Sequence, residues 1–130
     1  MSKLDEYLNQ IELALVSSPI VSTYKVTRRW ANTDDGYIRL EIQLVNHDLM
    51  EAAEYFVLEN DQIQTEDYRF HWMDQNKQLR RRWDNAPHHP EVATFPHHIH
   101  DETGNIIPGQ TMSIFDLLTL LENDLPNPSS

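Results

Sequence analysis

Helical spacing of apolar residues marks both ends of the chain. In the segment 3–17, Ser2 and Asp5 resemble a capping box, and Pro19 ends the pattern because the residue before a proline avoids the α region. In the segment 113–124, Ser113 stands three positions before Asp116, which again fits an N-terminal cap. Each segment has one apolar face, formed by Leu4, Leu8, Ile11 and Leu15 in the first and by Ile114, Leu117, Leu118 and Leu121 in the second. The pattern predicts two amphipathic helices.

Between these helices, apolar and polar residues alternate, which is typical of strands that bury one face. The clearest alternation runs through 37–45, where apolar side chains occupy the even positions from Ile38 to Leu44. Short polar turns rich in Asn and Asp separate the alternating segments. We predict five strands, at residues 20–31, 37–45, 50–58, 63–73 and 78–84.

The segment 85–110 contains four prolines and is predicted to be an irregular loop. The order of elements predicts an α+β fold, a single-layer antiparallel five-stranded meander sheet with the N- and C-terminal helices packed on one face. The other face is then open to water, a substrate or a partner, and a homodimer is one expectation. We expect residues 1–125 to form a single domain and residues 126–130 to be a disordered tail.

Composition narrows the class of protein. The formal net charge of −11 opposes non-specific binding to nucleic acid or membranes by the whole surface, although the stretch 66–84 is slightly basic. No apolar run is long enough to span a bilayer, and the N-terminal residues do not resemble a signal peptide. We therefore expect no membrane association and a cytoplasmic location. The absence of cysteine and the scarcity of glycine exclude disulfides, thiolate chemistry and glycine-rich phosphate loops.

Histidine is the unusual residue type, since five of the seven histidines lie within thirteen residues: His88, His89, His97, His98 and His100. His98 and His100 face the same way on an extended chain, so they form a pair that can bind zinc or another divalent metal. Alternatively, two imidazoles among His88, His89, His97 and His98 act as general acid and base without any cofactor, because histidine titrates near neutral pH. Simple packing of a His–Pro loop is the third interpretation.

Four cations lie in the predicted fifth strand and the turn before it, Lys77 and Arg80–Arg82. Guanidinium groups match phosphate with paired donors, so Lys77, Arg80 and Arg82 are candidate RNA-binding residues. A solvated edge strand protected by its charges is the alternative. Strict alternation places Arg80 and Arg82 on one face of this strand and Arg81 on the other.

Asp84 and Asn85 end the same strand, next to the histidine-rich segment. Asp and Asn at such corners often satisfy backbone groups of the following loop. The functional alternative is that one of them orients a nearby imidazole.

The run RWDNAPHH, which is residues 82–89, and the run FPHHIH, residues 95–100, together resemble the TumE family of toxin–antitoxin proteins. The resemblance implies a toxin that acts inside the cell and is encoded beside a helix-turn-helix antitoxin, its partner.

Three functional hypotheses remain open. The first is the toxin of a type II toxin–antitoxin system, acting as a histidine-dependent, metal-independent ribonuclease in which Arg80 and Arg82 hold phosphate and Asp84 or Asn85 orients an imidazole. The second is a protein that binds a divalent metal through its histidine cluster. The third is a non-catalytic module that binds a basic protein on the open face of the sheet.

Overall fold

The computed structural model describes residues 2–125, and the predicted tail at 126–130 lies outside them. Every strand in this part of the chain pairs antiparallel with the next, so the sheet is a meander in chain order. The elements are α1 (Lys3–Ser17), β1 (Val21–Ala31), β2 (Asp35–Leu44), β3 (Leu49–Glu59), β4 (Gln62–Met73), β5 (Leu79–Asp84), β6 (His98–Asp101), β7 (Ile106–Pro108) and α2 (Ile114–Asp124).

The described residues contain seven strands rather than the predicted five, because β6 and β7 form inside the segment predicted to be a loop. A tight turn joins the two strands, in which Asp101 Oδ1 accepts hydrogen bonds from the backbone N–H groups of Thr103 and Asn105, and Gly104 takes a φ of +89°. The prolines do not prevent pairing here, since Pro108 is the last residue of an edge strand, where a missing N–H is tolerated.

Both helices begin at the predicted caps. The side chain of Ser2 accepts a hydrogen bond from the backbone N–H of Asp5, and Ser113 and Asp116 form a complete capping box. The predicted apolar faces of α1 and α2 are buried and join the even-numbered side chains of β2, from Ile38 to Leu44, in one hydrophobic core. The α+β architecture with an open antiparallel sheet is therefore confirmed.

A buried carboxylate on β3 connects both helices to the sheet. Glu54 is fully buried and accepts hydrogen bonds from the Tyr7 hydroxyl of α1 (2.5 Å), from Thr65 Oγ1 of β4 (3.1 Å) and from the backbone N–H of Ile114 at the start of α2 (2.7 Å). Loss of solvation raises the pKa of Glu54 above its ordinary value. Three donors from three elements thus meet on one side chain, which fixes the helices against the sheet.

A bulge in β5 changes which side chains share a face. The register between β4 and β5 shifts by one residue, and Arg80 has no partner opposite it. Its guanidinium pairs with the buried carboxylate of Asp48, with Nε and Oδ2 2.7 Å apart. Arg82 pairs instead with Asp84. This corrects the prediction from strict alternation, which placed Arg80 and Arg82 side by side.

Candidate functional site

The pairing of β5 with β6 brings the candidate residues together on the open face of the sheet. Asp84 lies opposite His98, and Arg82 lies opposite His100. His89, from the loop before β6, packs its ring edge to face against His98 and His100, with ring centroids 4.8 and 5.4 Å apart. We call Arg82, Asp84, His89, His98 and His100 the histidine centre.

Asp84 lies between Arg82, His98 and His100 in the histidine centre. Its side chain is almost fully buried, and Oδ1 accepts hydrogen bonds from the backbone N–H of Ala86 (3.0 Å) and from His98 Nε2 (2.9 Å). Oδ2 accepts one from Arg82 Nε (2.9 Å) and lies 3.8 Å from His100 Nε2. Asp84 therefore does both things predicted for it as alternatives, since it satisfies a loop N–H and orients an imidazole.

Two of the three imidazoles are each held by an acceptor at Nδ1. His98 Nδ1 donates to the carbonyl oxygen of Pro96 (2.8 Å), and His89 Nδ1 lies 3.1 Å from a carboxylate oxygen of Glu91. Such contacts set the tautomer of a histidine and leave Nε2 for other chemistry. His98 Nε2 faces a second acceptor, Asp84 Oδ1, at 2.9 Å.

His100 differs from His98 in its environment. Partial burial lowers the pKa of His100 below its ordinary value, and the attraction of Asp84 only partly offsets this. The imidazole is therefore neutral near pH 7, which is the form that binds a metal ion. His71 lies on β4 opposite Arg82, and its pKa is also lowered mainly by burial.

A metal ion could be held by three imidazoles of the histidine centre. One ligand nitrogen from each of His89, His98 and His100 lies within 4.8 Å of the others. The rings meet at interplanar angles of 67°, 75° and 74°, so each pair packs edge to face. Three histidines and an open position are a common arrangement for catalytic zinc.

The histidine centre opens into a groove of about 250 Å³ that also includes Leu79 and the exposed His88. A second groove of about 330 Å³ shares Arg82 and His88 with the first and extends to Arg69 and Tyr55. His88 thus stands between the two grooves, beside the centre rather than in the group of three imidazoles.

Three of the predicted site residues lie elsewhere. His97 Nδ1 lies 2.9 Å from the hydroxyl of Tyr68, and because that hydroxyl donates to the carbonyl oxygen of Gln110, the imidazole is the donor. Lys77 lies in the β4–β5 turn with a φ of +65° and lines a separate groove. Arg80 pairs with Asp48, as described above.

Two further residues of this region face other surroundings. The side-chain amide of Asn85 accepts from the N–H of Tyr68 and donates to the carbonyl of Glu66, so its role is structural, but it satisfies backbone groups of β4 rather than of the following loop. Arg81 lies on the helix side of β5, where it lines a groove of about 730 Å³ with Trp83 and residues of α2.

Sequence reasoning missed the groups that support the imidazoles. Glu91 stands two residues after His89, but it matches no metal-binding signature, and the Pro96 carbonyl has no signal in a sequence at all. The three arginines on the open face beyond β5 were also missed, because they are far apart along the chain: Arg28, Arg39 and Arg69.

The fold and the site define a small α+β protein with a histidine-rich centre on the open face of a meander sheet. A family model described as Toxin TumE matches residues 11–125, and the chain belongs to that family. This match confirms the resemblance carried by residues 82–100 and supports a toxin role with an antitoxin as partner. No curated protein and no solved structure matches the chain. Within the described residues, neither helix has the length and apolar character needed to cross a membrane.

Proposed function

We propose that this protein is the toxin of a type II toxin–antitoxin pair, with a helix-turn-helix protein as antitoxin, and that it cleaves RNA at the histidine centre with the help of a bound divalent metal. Membership of the toxin family supports the first part. The second part is supported by the chemistry of the groups that meet at the centre.

The observation that carries the proposal is the way the imidazoles are held. In metalloproteins, a ligating histidine usually donates its other N–H to a carboxylate or a backbone carbonyl. His89 and His98 each have such a partner, and the pKa of His100 is lowered, so that its ring is neutral. His89, His98 and His100 would hold the ion, and Asp84, 2.9 Å from His98 Nε2, would keep that ring in place.

The remaining groups suit a phosphodiester substrate. A divalent ion in such a site polarises a phosphoryl oxygen and activates bound water. Arg82 binds Asp84 through Nε and keeps its terminal N–H groups for a phosphate oxygen. The metal-free route predicted from the sequence is less well supported, because His97 is bound to Tyr68 and both nitrogens of His98 face acceptors.

The proposal is tested with tag-free protein, because a histidine tag would bind metal itself. We expect about one equivalent of a divalent metal by elemental analysis and cleavage of total RNA that stops with a chelator and returns when metal is restored. His100→Gln should lose both metal and cleavage. His47→Asn is the matched control, because His47 lies in the β2–β3 turn and asparagine tolerates its φ of +74°.

Three outcomes would contradict parts of this proposal. Cleavage that persists in chelator, with metal well below one equivalent, would return the mechanism to acid–base catalysis by histidine alone. Metal-loaded protein that cleaves no RNA would refute the ribonuclease. Growth that continues when the protein is expressed without its antitoxin would refute the toxin role of this chain.

A further inference from the structure

The open face of the sheet carries three arginines in one row across the strands. Arg28 on β1 lies opposite Arg39 on β2, and the same row continues through Ala53 on β3 to Arg69 on β4. All three guanidinium groups are exposed, and none has a carboxylate partner within 4.0 Å among residues 2–125. Like charges directly opposite each other destabilise a sheet, so the Arg28–Arg39 pair costs stability unless an anion binds to it.

The arginine row ends at the histidine centre. Arg69 lies opposite Asp84, which itself lies opposite His98. With strands about 4.8 Å apart, the row from β1 to β5 spans about 19 Å. That length fits roughly six stacked nucleotides at a rise of about 3.4 Å each.

The neighbouring row on the same face is aromatic. Trp30 lies opposite Tyr37, which lies opposite Tyr55, and their ring centroids are 6.0 Å (Trp30 to Tyr37) and 6.3 Å (Trp30 to Tyr55) apart. All three rings are partly exposed. Tyr37 and Tyr55 line the groove of about 330 Å³ that leads past Arg69 to Arg82. Exposed aromatic rings beside a basic track are the usual means of binding single-stranded nucleic acid, because bases stack on the rings.

Acidic residues limit the path that a polyanion can take across this face. Glu41 and Glu51 lie opposite each other in the row on the other side of the arginines, and Asp67 lies opposite Tyr55. Phosphates are therefore attracted along the arginine row and repelled on either side of it. In a chain with a net charge of −11, binding of this kind is local, weak and sensitive to salt.

We propose that the open face binds single-stranded RNA, with phosphates on Arg28, Arg39 and Arg69 and bases on the aromatic row, and that it leads the strand to the histidine centre. The inference rests on the proposed function in that the centre is where the bound strand reacts. Duplex RNA does not fit, because its bases are already stacked and paired.

The test measures binding without cleavage. A labelled 2′-O-methyl RNA of about twelve nucleotides, within the known range of single-strand sites, is titrated into metal-free protein and followed by fluorescence anisotropy at several salt concentrations. We expect the single strand to bind at least tenfold more tightly than its duplex. Arg28→Gln/Arg39→Gln should weaken binding about tenfold or more and reduce the slope of log K against log salt by about 1.4, which is two phosphate contacts. Tyr37→Leu should weaken it about fivefold, the loss of one stacked base.

The matched control removes two positive charges elsewhere. Lys3→Gln/Arg29→Gln breaks the ion pairs with Asp61 and Glu12 and should change RNA affinity less than twofold. Equal losses in both double variants, or unchanged binding after Arg28→Gln/Arg39→Gln, would overturn the proposal. The proposal would also be overturned if Arg28→Gln/Arg39→Gln lost antitoxin binding but kept RNA binding. That result would make this face a protein interface. RNA binding as expected here, together with no cleavage of unmodified RNA by the metal-loaded protein, would instead contradict the proposed reaction and leave the binding face standing.

Discussion

Replacing Asp84 by asparagine tests whether the histidine centre is a single connected unit. The carboxylate is 3% exposed and accepts from Ala86, His98 and Arg82 at 2.9–3.0 Å. Asparagine has nearly the same shape, but an NH2 group replaces one of the two carboxylate oxygens. A donor would then face another donor. The substitution also removes the negative charge that pairs with Arg82.

The size of the effect follows from these contacts. Breaking a buried ion pair by removing one partner costs about 3–5 kcal/mol. Arg82 keeps about a quarter of its side chain in water and can be resolvated, so the lower end of this range, about 3 kcal/mol, is expected. Urea unfolding of the metal-free protein at pH 7 measures the loss as a lower midpoint with an unchanged slope.

Asp67→Asn is the control for this measurement, because Asp67 is an exposed carboxylate on the same face of the sheet. Its substitution should alter the free energy of unfolding by less than about 0.5 kcal/mol. A loss below about 1 kcal/mol for Asp84→Asn would refute the reasoning, since it would mean that His98 and Arg82 find other partners without cost.

Three further substitutions test the scaffold. Gly36→Ala should cost about 1–3 kcal/mol in thermal or urea unfolding, because a Cβ atom there would lie 2.5 Å from a ring carbon of the fully buried Phe56; an unchanged midpoint would contradict this. Glu54 has a raised pKa, so its contribution to stability is fully present below its unfolded pKa of about 4.3 and is lost as pH rises through the folded pKa. The free energy of unfolding of wild type relative to Glu54→Gln should therefore fall with rising pH, and a constant difference would contradict this. His71 has a lowered pKa, so its contribution is present above about pH 6.5 and is lost as pH falls through the folded pKa; His71→Gln should lose less stability than wild type between pH 7.5 and 5.

The buried Glu54 shows how the scaffold and the site are linked. Glu54 binds Tyr7 and Ile114, so it holds both helices on one face of β3. With that face covered, the other face of the sheet stays open for the arginine row and the histidine centre. A change that releases the helices would therefore disturb the site from the opposite side of the sheet.

Local signals determined the elements that could be predicted from the sequence. Caps at Ser2 and Ser113 and apolar residues at helical spacing define α1 and α2, because capping and amphipathicity depend on neighbours a few positions away. Alternation in 37–45 likewise assigned the buried face of β2. The family resemblance rested on two short runs, residues 82–89 and 95–100, which are likewise read from neighbouring positions.

Pairing between distant segments decided what the sequence left open. The strands β6 and β7 are four and three residues long, too short to have a clear pattern of their own, and they form because the edge of β5 and a capped turn are available. The bulge at Arg80 depends on the register with β4, so alternation within β5 alone could not predict it.

The candidate site divides in the same way. The sequence by itself determined the residue types, five clustered histidines beside arginine and aspartate, and the metal and acid–base hypotheses they allow. Only the tertiary structure separated His97, which packs on Tyr68, from His89, which a loop returns to His98 and His100. It alone aligned arginines from three strands in one row. The physical reason is that side-chain chemistry is local to each residue, whereas convergence depends on strand register and loop closure.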